Sequence, residues 1–292
     1  MTATQRFQTP PMKRASACLL GLVAALALVG SAHAGNITVK GSDTLVVLAQ
    51  KWAEAYMSKH PDTKIQVTGG GTGTGFAALQ NKTTDLCNAS RKIKPGEQAN
   101  CIKAFGRRPT EYKVCLDGLS LYVSADNPVK ELSLAQLADI FTGKTRNWKE
   151  VGGMDAPIVV YSRENSSGTY EFFKEHVLQG KDFAVGAQTM PGTAAVLQAV
   201  AKDKNGIGYG GAAYGAGAKH IRVKQDANSP AVEPTEENVL RGAYPISRSL
   251  FVYVNPALDK GEVAQYLAWI RSDEGQKVVK DVGYFPLPKD QR

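Results

Sequence analysis

Arg163-Glu164-Asn165-Ser166-Ser167-Gly168-Thr169 stands between Pro157-Ile158-Val159-Val160-Tyr161, which reads as a strand, and Tyr170-Glu171-Phe172-Phe173-Lys174, which reads as a helix. A strand, a tight turn and a helix start, in that order, make an anion site. The first amides of the helix have no acceptor within it, and its positive dipole end faces the turn. Serine and threonine hydroxyls add neutral donors, and arginine adds a two-pronged charged one. An ordinary N-cap at Ser166 or Ser167 explains the same residues. The turn alone does not separate the two readings.

Three more junctions of this kind precede it. Gly41-Ser42-Asp43-Thr44 follows a strand predicted over 37–40 and opens an amphipathic helix. Gly69-Gly70-Gly71-Thr72-Gly73-Thr74-Gly75 again joins strand to helix, and Ala89-Ser90-Arg91 ends a strand predicted over 86–90. Glycine lets a ligand approach the backbone closely, and successive free amides form anion-binding concavities. The glycine run is not a P-loop, because no Gly-Lys-Ser/Thr follows Gly75. It does not fit the dinucleotide fingerprint either, since Phe76 stands where the third glycine belongs. Each junction has a plain alternative: Ser42 or Asp43 as helix caps, Arg91 as a surface charge. Together they describe a cage of mostly neutral donors for a tetrahedral oxyanion.

The rest of the chain alternates in the same way. Leu45, Leu48, Ala49, Trp52, Ala55 and Tyr56 recur at helical spacing over 44–60. Further strands are predicted over 65–68, 207–209 and 250–254, and one long buried strand over 112–124 crosses between domains. Helices are predicted from Phe76, over 133–141 with Ser133 as cap and over 194–202, with a terminal one from Val263. Such α/β alternation builds layered, mostly parallel sheets, with ligands in the crevice beyond the strand carboxyl ends. Trp52, Tyr56 and Phe76 read as core. Trp148 lies in a loop and could pack on a surface between domains.

Residues 1–34 read as a secretory leader: Lys13 and Arg14, then an apolar run over 17–29, then Ala32-His33-Ala34 as cleavage site. The run is too short for a spanning helix. Cleavage after Ala34 leaves 258 of the 292 residues, enough for two modest domains. It also removes Arg6, Lys13 and Arg14 and no acid, so the net charge falls from +8 to +5. The bases are scattered rather than blocked, so no nucleic-acid surface is indicated. Of Cys87, Cys101 and Cys115, export permits one disulfide, Cys101 with either of the others. His60, His176 and His220 stand far apart and no Cys-x-x-Cys occurs, which argues against a metal site.

At these junctions the chain resembles the periplasmic phosphate-binding proteins, the substrate-binding subunits of phosphate ABC transporters. The resemblance covers nearly all of the expected mature chain. Arg163 with Ser167-Gly168-Thr169 is its most specific element, and Tyr244-Pro245-Ile246-Ser247-Arg248 resembles the family's return to its first domain. It implies an α/β fold of two mixed sheets flanked by helices, the two-lobed type II-like binding-protein fold, with a hinge and with phosphate between the lobes. The lobes would be 35–124 with 245–292, and 125–244. The implied ligand residues are Thr44, Thr72, Ser90, Arg163, Ser167, Gly168 and Thr169, with Ser42, Asp43 and Arg91 beside them. Some members carry an aspartate directly after the serine matching Ser90, where it accepts the proton of bound phosphate. Here that position is Arg91, and Asp43 is the nearest substitute carboxylate. The implied role is a monomeric, non-enzymatic periplasmic carrier without cofactor or metal, docking on a membrane-embedded ABC permease. The alternatives are a carrier or sensor of sulfate or molybdate, and a secreted phosphatase with Ser167 or Thr74 as nucleophile. The last lacks a nearby histidine base and a Gly-x-Ser-x-Gly elbow.

Overall fold

A computed structural model of the chain describes residues 1–3, 35–215 and 219–292. The expected leader therefore lies outside the described residues, apart from its first three. Among the described residues no helix is long and apolar enough to cross a membrane.

The chain opens with β1 (Asn36–Gly41), α1 (Val46–Met57), β2 (Lys64–Thr68), α2 (Thr72–Gln80), β3 (Leu86–Ala89) and α3 (Pro95–Phe105). It continues through β4 (Thr110–Gly118), β5 (Ser120–Val123), β6 (Glu131–Ser133), α4 (Leu134–Phe141), β7 (Val159–Arg163) and α5 (Gly168–His176). Then come β8 (Gln188–Met190), α6 (Gly192–Lys202), β9 (Gly206–Gly210), β10 (Lys219–Lys224) and α7 (Glu236–Leu240). The chain closes with β11 (Ser247–Val254), α8 (Gly261–Arg271) and α9 (Asp273–Val282). A five-stranded sheet runs β2-β1-β3-β11-β4 and a six-stranded sheet β6-β10-β5-β9-β7-β8.

Both sheets are mixed rather than mostly parallel. β1 pairs in parallel with β2 and β3, which strand–helix–strand crossovers through α1 and α2 connect. β11 then inserts antiparallel between β3 and β4. In the second sheet β7 is parallel to β8 and β9, whereas β5 is antiparallel to β9 and β10. The buried stripe Leu48, Ala49, Trp52, Ala53 and Tyr56 seats α1 on the first sheet, and the Trp52 indole donates to the Gly275 carbonyl at 2.8 Å. Ser133 caps α4 as the sequence predicts, and Gln136 completes a capping box: the Gln136 backbone amide donates to Ser133 Oγ and the Ser133 amide to Gln136 Oε1.

Four local expectations change. The strand predicted over 112–124 is two strands that part at Leu119, and the second half joins the other sheet. Leu119 donates its amide to Ile246, so the outgoing and returning segments run side by side where the chain changes sheets. The glycine run is not a loop before a helix starting at Phe76, because α2 begins at Thr72. Gly70 and Gly71 take the positive φ values (106° and 91°) that turn the chain into it. Trp148 is a core residue of the six-stranded sheet, its indole donating to the Asn205 carbonyl. Cys87, Cys101 and Cys115 are buried free thiols, so the allowed disulfide is not formed. Burial pushes the Cys101 thiol up to about 11 and raises those of Cys87 and Cys115 well above the usual thiol value.

A chain beginning at Gly35 should therefore show almost no rapid thiol reaction with an aromatic disulfide reagent while native, and three equivalents after denaturation without reductant. A single equivalent after denaturation would mean that two of the cysteines are bonded.

Candidate oxyanion site

The carboxyl ends of β1, β2 and β3 lie on one edge of the first sheet because the three strands are parallel neighbours. Each continues into one of the predicted junctions. The end of β7 brings the Arg163 turn from the second sheet. The two sets meet in a chain of buried hydroxyls. Thr44 Oγ1 lies 2.8 Å from Thr169 Oγ1, which lies 3.4 Å from Ser90 Oγ, which lies 3.3 Å from Thr72 Oγ1. The Ser90 amide also donates to Thr72 Oγ1 at 3.1 Å. Thr44, Thr72 and Ser90 come from the first sheet and Thr169 from the second, so the cluster exists only where the two sheets face each other.

Helix α5 enters this cluster by its N-terminus. Ser167 is its N-cap, with Oγ accepting from the amides of Thr169 and Tyr170 at 3.2 Å each. The capping and ligand readings of Ser167 are thus compatible, since a hydroxyl that accepts twice still has its hydrogen to donate. Gly168 is the first helical residue, and its amide has no acceptor within the helix. A Cβ on Gly168 would sit 2.4 Å from Thr72 Oγ1 and 2.7 Å from Ser90 Oγ, so only glycine lets the helix end approach so closely. Gly73 donates its amide across to the Ser166 carbonyl at 2.8 Å.

Arg163 is 1% exposed. Its Nη1 donates to Thr193 Oγ1 at 2.7 Å and its Nη2 to Asp43 Oδ2 at 2.9 Å. Its Nε is buried and has no partner among the described residues. A guanidinium has five N–H donors, and bulk water does not reach this one. Burial pulls its pKa below the usual arginine value, and Asp43 pushes the other way. Asp43 Oδ1 accepts from the Gly70 amide at 2.7 Å, so both carboxylate oxygens are engaged and each keeps a lone pair. The Tyr214 hydroxyl holds the Asp43 carbonyl and the Tyr284 hydroxyl the Thr44 carbonyl, at 2.7 and 2.6 Å. Burial lifts Tyr214 to about 12, so its hydroxyl stays a donor at neutral pH.

Of the ten residues singled out in the sequence, the structure gathers Asp43, Thr44, Thr72, Ser90, Arg163, Ser167, Gly168 and Thr169 into this contact network. Ser42 is buried at its edge, its amide donating to the Asn88 carbonyl. Arg91 is a correction. Its fork closes on Glu97 of α3 at 2.7 and 2.8 Å and its guanidinium lies over Phe76, so its charge is paired with an acid of a neighbouring helix rather than with the hydroxyls. Thr193 went unrecognised. It follows Pro191-Gly192 at another strand-to-helix junction, but the three-residue strand β8 before it is too short to show in the pattern. Thr74, the other candidate nucleophile, donates to the Gly71 carbonyl at 2.7 Å. His60, His176 and His220 stack or tilt against Tyr56, Phe172 and Tyr122.

A model of the PBP superfamily domain matches residues 29–274. The phosphate-binding protein PstS of Pseudomonas aeruginosa is 38% identical over 275 residues, covering 88% of this chain and 85% of that protein. PstS of Staphylococcus epidermidis is 34% identical, covering 87% and 80%. A Clostridium perfringens protein assigned to phosphate ABC transport as a substrate-binding protein, and solved with bound phosphate, superposes with a TM-score of 0.80 at 31% identity. The match covers 87% of this chain and all of that one. The chain belongs to the PBP superfamily and, within it, to the family of the phosphate-binding proteins PstS.

Proposed function

We propose that this chain binds inorganic phosphate between two lobes in the periplasm and delivers it to a membrane-embedded ABC permease, as a monomer and without catalysing a reaction. The observation that carries this reading is the meeting of both sheets in one dehydrated donor set. Four hydroxyls gather at the first amides of α5, and beside them a buried arginine with an unpartnered Nε pairs with one carboxylate, that of Asp43. Tetrahedral oxyanions accept many hydrogen bonds. Mostly neutral donors hold such an ion without concentrating positive charge. The lobes of this reading are 35–118 with 247–292, and 120–246, divided where the strands change sheet. Closure of the lobes supplies the cross-lobe donors, so ligand favours the closed form by its differential contacts.

Asp43 selects among oxyanions. Phosphate keeps a proton at neutral pH and can donate it to a carboxylate lone pair. Sulfate has none to give and meets only charge repulsion there. Arg163 sets the orientation of that carboxylate while offering its remaining N–H groups to the anion. A hydroxyl nucleophile needs a base within reach, and the hydroxyls here face one another and backbone amides.

Calorimetry on the chain from Gly35, unfolded to release carried-over ligand and refolded, should show one-to-one phosphate binding with sulfate and molybdate failing to compete. Preference for either competitor would keep the fold and overturn the ligand. Arg163→Ala should weaken phosphate binding by on the order of 2–5 kcal/mol, the range for truncating one member of a buried charge pair. Unchanged affinity removes Arg163 from the site. Asp43→Asn should narrow the gap between phosphate and sulfate, chiefly by admitting sulfate. An unchanged ratio at acid, neutral and mildly alkaline pH would assign selectivity elsewhere.

A further inference from the structure

The most deeply buried ion pair of the described residues lies outside the donor set. Asp117 is the penultimate residue of β4, just before the chain leaves the five-stranded sheet. Arg248 is the second residue of β11, just after the chain returns, and the two are direct register partners. Arg248 Nε and Nη2 both donate to Asp117 Oδ2, at 2.9 and 2.8 Å. The side chains are 2% and 0% exposed. Desolvating such a pair costs several kcal/mol, and well-packed apolar residues often serve stability as well or better. Stability alone does not account for it.

Its remaining contacts run to the site or to the turn packed behind it. Arg248 Nη1 donates to the Ser90 carbonyl at 3.1 Å. The guanidinium lies over the Phe172 ring, 5.2 Å from its centroid, and Phe172 belongs to α5. Asp117 Oδ1 accepts from the Ala212 amide at 3.0 Å, in the turn that follows β9 of the other sheet. In that turn, a Cβ on Gly211 would stand 3.1 Å from Thr44 Cγ2. One buried pair, placed where both connecting segments change sheet, thus touches Ser90 of the first lobe, the ligand-facing helix of the second, and the turn packed behind Thr44.

We propose that Asp117 and Arg248 are positioning residues for anion binding: the pair pins the crossing point and sets Ser90 and α5 in the relative placement that the anion requires. The proposal rests on the phosphate-binding reading above. A lysine at 248 keeps a charge for Asp117 but has no planar fork to serve Asp117, Ser90 and the Phe172 face at once.

The test is phosphate calorimetry together with thermal unfolding on the chain from Gly35 in four forms: wild type, Arg248→Lys, Ser90→Ala and the double variant. Arg248→Lys should fold cooperatively and bind phosphate about tenfold more weakly. In the Ser90→Ala background the same change should cost clearly less, because the two act through one unit. A purely structural role would lower the unfolding temperature and leave the affinity of each background unchanged. Wild-type affinity in folded Arg248→Lys, or equal losses in both backgrounds, overturns the proposal. Where Arg248→Lys does not fold, Phe172→Leu leaves the ion pair whole and removes only the ring beneath it. Weakened phosphate binding at near-native stability supports the proposal, and unchanged affinity overturns it. Failure of the wild type itself to bind phosphate would overturn the functional reading, and this proposal with it.

Discussion

A buried guanidinium needs acceptors for its charge, and Arg163 is the charge around which the two sheets are arranged. It sits at the carboxyl end of β7, 1% exposed, and its acceptors are Thr193 of its own sheet and Asp43 from the opposite one. Asp43 in turn needs the Gly70 amide from the β2–α2 junction. The pair therefore fixes which strand ends face each other. Once β1, β2 and β7 are opposed in this way, the hydroxyls of Thr44, Thr72 and Thr169 follow, because each stands at a junction directly beyond one of those strands or their neighbours.

Small residues make that opposition close. Gly168 brings α5 within reach of Thr72 and Ser90, and Gly71 lets the first sheet approach Ser166, whose carbonyl oxygen would lie 2.6 Å from a Cβ there. Both positions exclude a side chain for steric reasons, and both are buried. In a dehydrated space each remaining donor interacts more strongly than in water, and an unsatisfied one costs more. A ligand with many acceptor lone pairs is the natural complement to such a set, which is the physical link from the glycine content of the junctions to oxyanion binding.

Much of this was legible because it is local. Strand–turn–helix order, helix stripes and the Ser133 cap depend on neighbours within a turn or two, and they stand in the structure close to where the pattern puts them. The misreadings arise where the partner is distant in sequence. Arg91 looks like a free donor at a strand end until Glu97 folds back on it from α3. Nothing in the run over 112–124 marks Leu119 as the point of exchange, because an apolar stretch reads the same in either sheet. Trp148 looks like a loop residue because its burial comes from the sheet above which that loop closes. Thr193 was invisible because its role is defined by Arg163, thirty residues earlier.

By itself the sequence determined the class of fold, the family resemblance and the chemistry available at each junction, since residue type and short-range spacing dictate turns, caps and donors. The tertiary structure alone decided which junctions share a site, that the three cysteines stay free thiols, and that Asp117 and Arg248 meet at the crossing between sheets. Those outcomes depend on strand order and register, and they are settled only when the apolar faces of both sheets are buried together.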